Sequence, residues 1–284
     1  MTEPAALPTP ERTRSIDLLR GIVMVLMVLD HARDFFVGIG AGPTELATTT
    51  LPLFFTRWVT HFCAPVFVLL AGVSAALYAS KRGLPAARHF LLTRGLWLVL
   101  LELTVVRFAW IPEPFYRFSL LQVIWVLGWA MVCLAGLSYL PRRAIVAVGA
   151  VIVLGHNALD SLDRGNFGAL EPVWNLLHER GVLTLGGRKV FVSYPALPWL
   201  GVAALGFGLG GWYQKPASER QAWLLRTGAL LTLGFVVLRA LNVYGDPVPW
   251  TEQARGGWFT LLSFLKCQKY PPSLAYLLMT LGPA

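Results

Sequence analysis

Charge is scarce in this chain. Only 14% of its 284 residues are Asp, Glu, Lys or Arg, against roughly 25% in soluble domains. Hydrophobic residues make up 56% and the mean hydropathy is +0.59. This balance excludes an ordinary water-soluble domain, because the polar residues cannot cover so large a core. Cysteine is also scarce. Cys63 and Cys133 lie in apolar runs and Cys267 near the start of the last one, which excludes a disulfide framework. No Cys/His spacing typical of a metal site occurs, so no metal is expected. The polar, Pro-containing start MTEPAALPTPERTR is no signal-peptide n-region, and no small-residue cleavage site follows the first apolar run. Internal repeats, heptads and low-complexity tracts are missing, as are the inverted halves of a typical secondary transporter.

What is present is a series of apolar runs. They lie at roughly 15–37, 55–79, 91–110, 118–140, 143–160, 195–213 and 222–242, with a last one beginning near 272. All but the fifth of the seven complete runs have about the 20 residues a bilayer requires. The expected fold class is all-α: a polytopic transmembrane helix bundle of seven spans plus a truncated eighth. Residues 1–14 read as a tail and 15–284 as one multi-span domain, incomplete at its C-terminus. The net charge of +9 does not point to nucleic acid, because the basic residues sit in short loops between spans. They read as topology determinants and lipid-headgroup contacts. The 80–94 loop holds Lys81, Arg82, Arg88 and Arg94 with no acid. Together with the 141–143 turn and the 214–226 loop it places the N-terminus in the cytoplasm by the positive-inside rule. A multi-pass protein of the cell (inner or plasma) membrane is expected.

The ionisable groups within the runs are unevenly distributed. Asp30, His31, Arg33 and Asp34 fall in the last two turns of the first run. By helix rise His31 lies about 9 Å below the outer surface. His61, Glu102, Arg107, Gln122, His156, Asn157, Asp160, Arg239 and Asn242 fall near outer span ends too. The inner halves hold little besides Asp17 and Arg20. Intramembrane charge is costly and marks function by default, so a polar layer around an outer cavity is expected. Asp30 and Asp34 are i,i+4, and Asp30 with Arg33 and His31 with Asp34 are i,i+3, spacings at which side chains meet. A carboxylate beside His31 suits a general base or acyl carrier. His61, one turn before Pro65, is a second candidate; its structural alternative is a hydrogen bond between helices. An ion pair of Glu102 with Arg107, and tight helix packing along GVAALGFGLGG, are the other local expectations.

The segment RTRSIDLLRGIVMVLMVLDHARDFF resembles the opening motif of a membrane-bound family, the one similar to the catalytic domain of heparan-alpha-glucosaminide N-acetyltransferase. Its pattern is met by Arg14, Ser15, Ile16, Asp17, Arg20, Gly21 and then Asp30-His31. HFCAPVFVLLAGVSAALY resembles the family's second span. LLTRGLWLVLLELTVVRF, FVSYPALPWLGVAALGFGLG and LLSFLKCQKYPPSLAYLLMTLGPA are similar to its bacterial branch. Family members continue with further spans, which again makes the end at Ala284 read as truncation. The resemblance implies transfer of an acetyl group from cytosolic acetyl-CoA to an amino sugar on the other side. It also implies an asparagine at the outer end of the first span and a histidine in the following loop as the chemical groups. Here His31 falls at the asparagine position. Residues 32–60 hold no histidine, leaving His31 or His61 to substitute.

These strands join in one expectation. An integral membrane acyltransferase moves an acyl group, by resemblance acetyl, from cytoplasmic acyl-CoA to a sugar, glycan or small-molecule acceptor on the outer side. His31, Asp34, His61 and Asp30 are its candidate catalytic residues. Arg14, Arg20, Lys81 and Arg82 are candidates for the CoA phosphates. The partners to expect are the bilayer, acetyl-CoA or another acyl-CoA, the acceptor and, as an option, a second copy forming a homodimer. The main alternative is a proton-coupled transporter, since proton relays use the same residue types. A non-catalytic scaffold would leave the outer polar layer unexplained.

Overall fold

A computed structural model describes residues 14–36 and 42–284; the side chains of Asp34 and Arg164 and all but the last residue of the 1–14 tail lie outside the described set. The fold is mostly helical. The long elements are α1 (Arg14–Phe36), α2 (Leu51–Thr60), α3 (Cys63–Arg82) and α4 (Leu84–Leu101), which continues through a π-turn (Glu102–Val106) into α5 (Arg107–Trp110). They are followed by α6 (Val123–Leu137), α7 (Arg142–Gly155), the short α8 (Glu171–Leu177), α9 (Leu197–Leu209), α10 (Ala217–Leu241), α11 (Gly257–Leu265) and α12 (Leu274–Leu281).

Among the described residues, four helical stretches are long and apolar enough to cross a membrane: Leu51–Arg82, Leu84–Trp110, Arg142–Leu159 and Ala217–Leu241. Their faces carry large exposed apolar side chains, among them Leu96, Val105, Val151, Leu225 and Leu230. Water is a poor solvent for such a surface and a bilayer is a good one. The first expected span forms α1. The fourth is shorter than expected, because residues 118–121 are strand and the helix begins at Val123.

The bundle has two unlike ends. One holds the short basic loops. The other holds a feature absent from the all-α expectation, a sheet of order β1-β3-β2 built from β1 (Phe118–Leu121), β2 (Gly181–Leu185) and β3 (Arg188–Val192). β2 and β3 pair antiparallel, with Leu185 opposite Arg188 across Gly186-Gly187. Both glycines have positive φ, +56° and +77°, as a two-residue hairpin of this hand requires. β1 joins β3 in parallel.

Helix packing is close where side chains vanish. A Cβ on Gly72 of α3 would lie 2.1 Å from the Ala203 carbonyl oxygen, and one on Gly206 of α9 would lie 2.2 Å from that of Leu69. The small residues of the sixth span thus let α3 and α9 meet backbone to backbone, as membrane bundles do where dispersion replaces the hydrophobic drive. Trp199 and Val202 of α9 are fully buried. Gly206→Ala is therefore expected to lower stability by about 2 kcal/mol or more through overpacking. Gly136→Ala, where a Cβ meets nothing within 4 Å, is expected to be neutral or slightly stabilising. Thermal unfolding of the two variants in detergent checks the contrast.

Candidate active site

The second expected span is broken at His61-Phe62, between α2 and α3. Pro65 supplies the cause: it has no N–H, so the His61 carbonyl loses its helical partner. The Tyr276 hydroxyl donates to that carbonyl instead, at 2.7 Å. The His61 ring lies 5.3 Å from that of Tyr276 and is 4% exposed, with Nδ1 buried and unpartnered.

His61 lines a cavity of about 360 Å³ at the sheet-bearing end, with Thr44, Arg57, Arg180, Val248, Lys266, Cys267, Gln268, Lys269 and Tyr270. That volume falls within the ~300–1,000 Å³ of small-molecule sites. Among the described lining residues, four side chains are cations and none is a carboxylate. Behind Arg57 stands Asp30. Arg57 Nη1 donates to both carboxylate oxygens, at 2.6 and 2.8 Å, Thr60 Oγ1 donates at 2.8 Å, and Arg33 Nη2 makes a further ion pair with it. Such charge-assisted bonds fix Arg57 firmly. Its Nη2 also reaches the Tyr270 hydroxyl at 3.4 Å, and that hydroxyl lies 3.4 Å from Tyr194 OH.

The far wall, residues 266–270, is held from below. Buried Arg239 donates to the carbonyls of Phe264 (3.0 Å), Val248 (2.8 Å) and Lys266 (2.8 Å), and pairs with Asp246 at 3.7 Å. Asp246 Oδ2 accepts from Gln268 N at 2.9 Å and Ser273 Oγ at 2.7 Å. Arg180 sits 5.0 Å from the ring centres of both Tyr270 and Phe191, a cation–π arrangement that ties the hairpin to the cavity. Burial opposes ionisation of Tyr270, but Lys269 and Arg57 outweigh it and hold the phenol below its ordinary value. Burial, aided by Asp246, pushes the Cys267 thiol well up, which leaves it inert as a nucleophile.

The other expected site residues lie elsewhere. His31 is exposed and its ring packs 5.9 Å from Trp110, away from the cavity. Asp34 has no described side chain. At the opposite end, Arg20 bonds Ser74 Oγ and lies 3.9 Å from Asp17, while Arg14, Lys81 and Arg82 are exposed. The polar layer does not surround one cavity; it divides into separate clusters. Glu102 does not pair with Arg107. Its Oε1 accepts from Gln122 N at 2.8 Å at the start of α6, while Arg107 pairs with Glu113 at 2.9 Å and with the Phe118 and Ile111 carbonyls. Glu113 lies beyond the helix. Despite slight desolvation, the Arg117 N–H and the Arg107 guanidinium hold its carboxyl below the usual value. Arg57, Arg180, Lys266, Lys269 and Tyr270 were not among the expected site residues. Arg57, one turn before His61, was the one with a local signal.

Asp30→Asn removes the charge that neutralises Arg33 and Arg57. It is expected to cost about 3 kcal/mol, the lower range for breaking a buried pair, read as a fall in detergent melting temperature; Asp30→Glu recovers most of the loss.

No curated protein and no solved structure matches the chain. A family comparison does match: the heparan-alpha-glucosaminide N-acetyltransferase catalytic family aligns with residues 12–244, a stretch that includes α1 through α10 and holds His61, Asp30, Arg57 and Arg180. With its apolar membrane-length helices and a cationic cavity set around a histidine, the chain belongs to the heparan-alpha-glucosaminide N-acetyltransferase catalytic family, membrane proteins of the acyltransferase class.

Proposed function

We propose that this protein transfers an acyl group, acetyl by family, from acyl-CoA to an anionic acceptor seated in the cavity, a sugar or glycan being the class expected. The observation that carries the reading is His61: a buried imidazole on a cavity wall otherwise rich in fixed cations. The acceptor amine or hydroxyl attacks the thioester carbonyl carbon. A C–N or C–O bond forms, the C–S bond breaks, and CoA leaves as thiolate. His61 takes the acceptor's proton as general base and returns it to the thiolate sulfur. Lys269 and Arg57 stabilise the negative oxygen of the tetrahedral intermediate. Asp30 acts through Arg57 as a positioning residue. His31 and Asp34, the first candidates by sequence, take no part in this scheme.

With the N-terminus and the short basic loops assigned to the cytoplasm by the positive-inside rule, the cavity at the opposite end of the bundle opens to the outer side. Donor phosphates then dock at Arg14, Lys81 and Arg82 on the basic-loop end. Arg20, engaged by Ser74 and Asp17, contributes less than its position in the sequence motif implies. From Lys81 to His61 the helix measures about 30 Å, more than a pantetheine arm spans, so the donor must move inward between the helices from its first basic contacts before its thioester meets His61. The transporter alternative gains no support from any observation.

Two expected outcomes test this. In sealed vesicles supplied with labelled acetyl-CoA, His61→Gln lowers transfer by about 10²–10⁴-fold, the usual worth of a general base, while His31→Ala stays near wild type. Loss in His31→Ala with His61→Gln intact would overturn the assignment. The joint change Lys81→Ala/Arg82→Ala raises KM for acetyl-CoA, and Arg180→Ala raises KM for the acceptor; the reverse pattern would put donor phosphates in the cavity.

A further inference from the structure

A second polar cluster lies apart from the cavity, where α7 ends. His156 follows α7 in a 3₁₀ turn (His156–Leu159), Asp160 caps that turn, and His178 follows α8. One ligand atom from each of the three lies within 4.8 Å of the others, the one such group among the described residues. His178 Nε2 and Asp160 Oδ1 are 3.0 Å apart. The His156 and His178 rings are 6.0 Å apart, and Trp174 covers His178 at 4.9 Å.

The feature that needs a cause is the set of orphaned nitrogens. His156 is 2% exposed, yet neither of its ring nitrogens has a partner, and His178 Nδ1 is unpartnered too. Leaving buried polar atoms unsatisfied is costly, and such exceptions call for an unplaced ion or water. A folded chain could have put an apolar residue at 156 at no loss to packing. Two imidazoles and one carboxylate are instead the donor set of first-row divalent cations, zinc above all. Tetrahedral Zn–N bonds of about 2.0–2.1 Å put neighbouring ligand atoms a little over 3 Å apart. The His178–Asp160 pair, at 3.0 Å, is near that spacing, and a His156 nitrogen lies within 4.8 Å of both partner atoms. The support around the site is also of the right kind. Asn157 Nδ2 donates to Asp160 Oδ2 at 2.7 Å, orienting the carboxylate as outer-shell groups do. Asn157 Oδ1 in turn accepts from Leu274 N, at the start of α12.

We infer that His156, Asp160 and His178 bind one divalent transition-metal ion, with water at the open position, and that the ion clasps the end of α7 to the segment leading from α8 into the β2–β3 hairpin. The role is structural and independent of the acyl-transfer reading, since none of these residues lines the cavity. Sequence spacing gives no hint of it: His156 and His178 lie in separate elements, and the motif emerges only when α8 folds back.

The test uses the full chain in detergent, stripped with chelator and titrated with Zn²⁺ by calorimetry, with Co²⁺ as a spectroscopic probe. The expected result is one equivalent of Zn²⁺, a visible Co²⁺ d–d spectrum of nitrogen and oxygen ligation, and a higher melting temperature with metal. Asp160→Asn, which preserves size and shape, and His178→Ala should each weaken binding about 100-fold and abolish the Co²⁺ spectrum. Should His178→Ala fail to fold, Asp160→Asn decides alone. No uptake by the wild type, or equal uptake by wild type and Asp160→Asn, would overturn the site.

Discussion

The arrangement around the cavity depends on one buried carboxylate. Asp30 lies near the end of an apolar helix, where a lone charge would be expensive, and it is matched by two guanidiniums and a hydroxyl. Arg57 is held by that match, and through Arg57 the phenol of Tyr270 is held as well. The pairing crosses three separate parts of the chain: α1, α2 and the loop before α12. Breaking a buried pair is costlier than never having made it, so once Asp30 is present the geometry of its neighbours follows. The cavity cations are therefore preorganised rather than gathered by a ligand, and preorganised charge is what stabilises a developing oxyanion.

A second constraint acts on the histidine itself. Pro65 breaks the helical bond to the His61 carbonyl, and Tyr276 of α12 restores it. In a membrane such repair must come from a neighbouring helix or an ordered water. Here the repair presses α12 against the break and packs its tyrosine ring beside the imidazole. The wall opposite is set by Arg239, which collects four carbonyls and Asp246 from the 246–266 region. The Arg57, His61 and 266–270 parts of the cavity wall are thus each fixed by a charged or hydrogen-bonded group that the low-dielectric surroundings forbid to remain single.

Much of the bundle was legible in the sequence because apolar length and small-residue stripes act locally. The runs at 91–110 and 222–242 became helices, and GVAALGFGLGG packs against α3 through Gly206. The hairpin lies outside those expectations, although Leu185-Gly186-Gly187-Arg188 between apolar-alternating segments carries a turn signal; it falls between the apolar runs at 143–160 and 195–213. The site was only half legible. Asp30 and His61 stood out as ionisable groups on apolar helices. Helical spacing joins neighbours on one helix, and the Asp30–Arg33 pair it offers is present; the wider grouping did not stand out, because no spacing reaches across helices. The structure turns His31 towards Trp110 and joins Asp30 to Arg57, 27 residues away. Lys269, Tyr270 and Arg180 come from loops whose return to the cavity no periodicity encodes.

The central claim is that acyl transfer takes place in the cavity beside His61. A photoreactive, non-transferable acyl-CoA analogue tests it directly: the acyl-end label is activated in wild-type membranes and mapped by peptide. Labelling concentrated on residues 57–63 and 266–270, and competed away by acetyl-CoA, is the predicted result. Labelling confined to the His31–Trp110 surface or to the basic-loop end would contradict it.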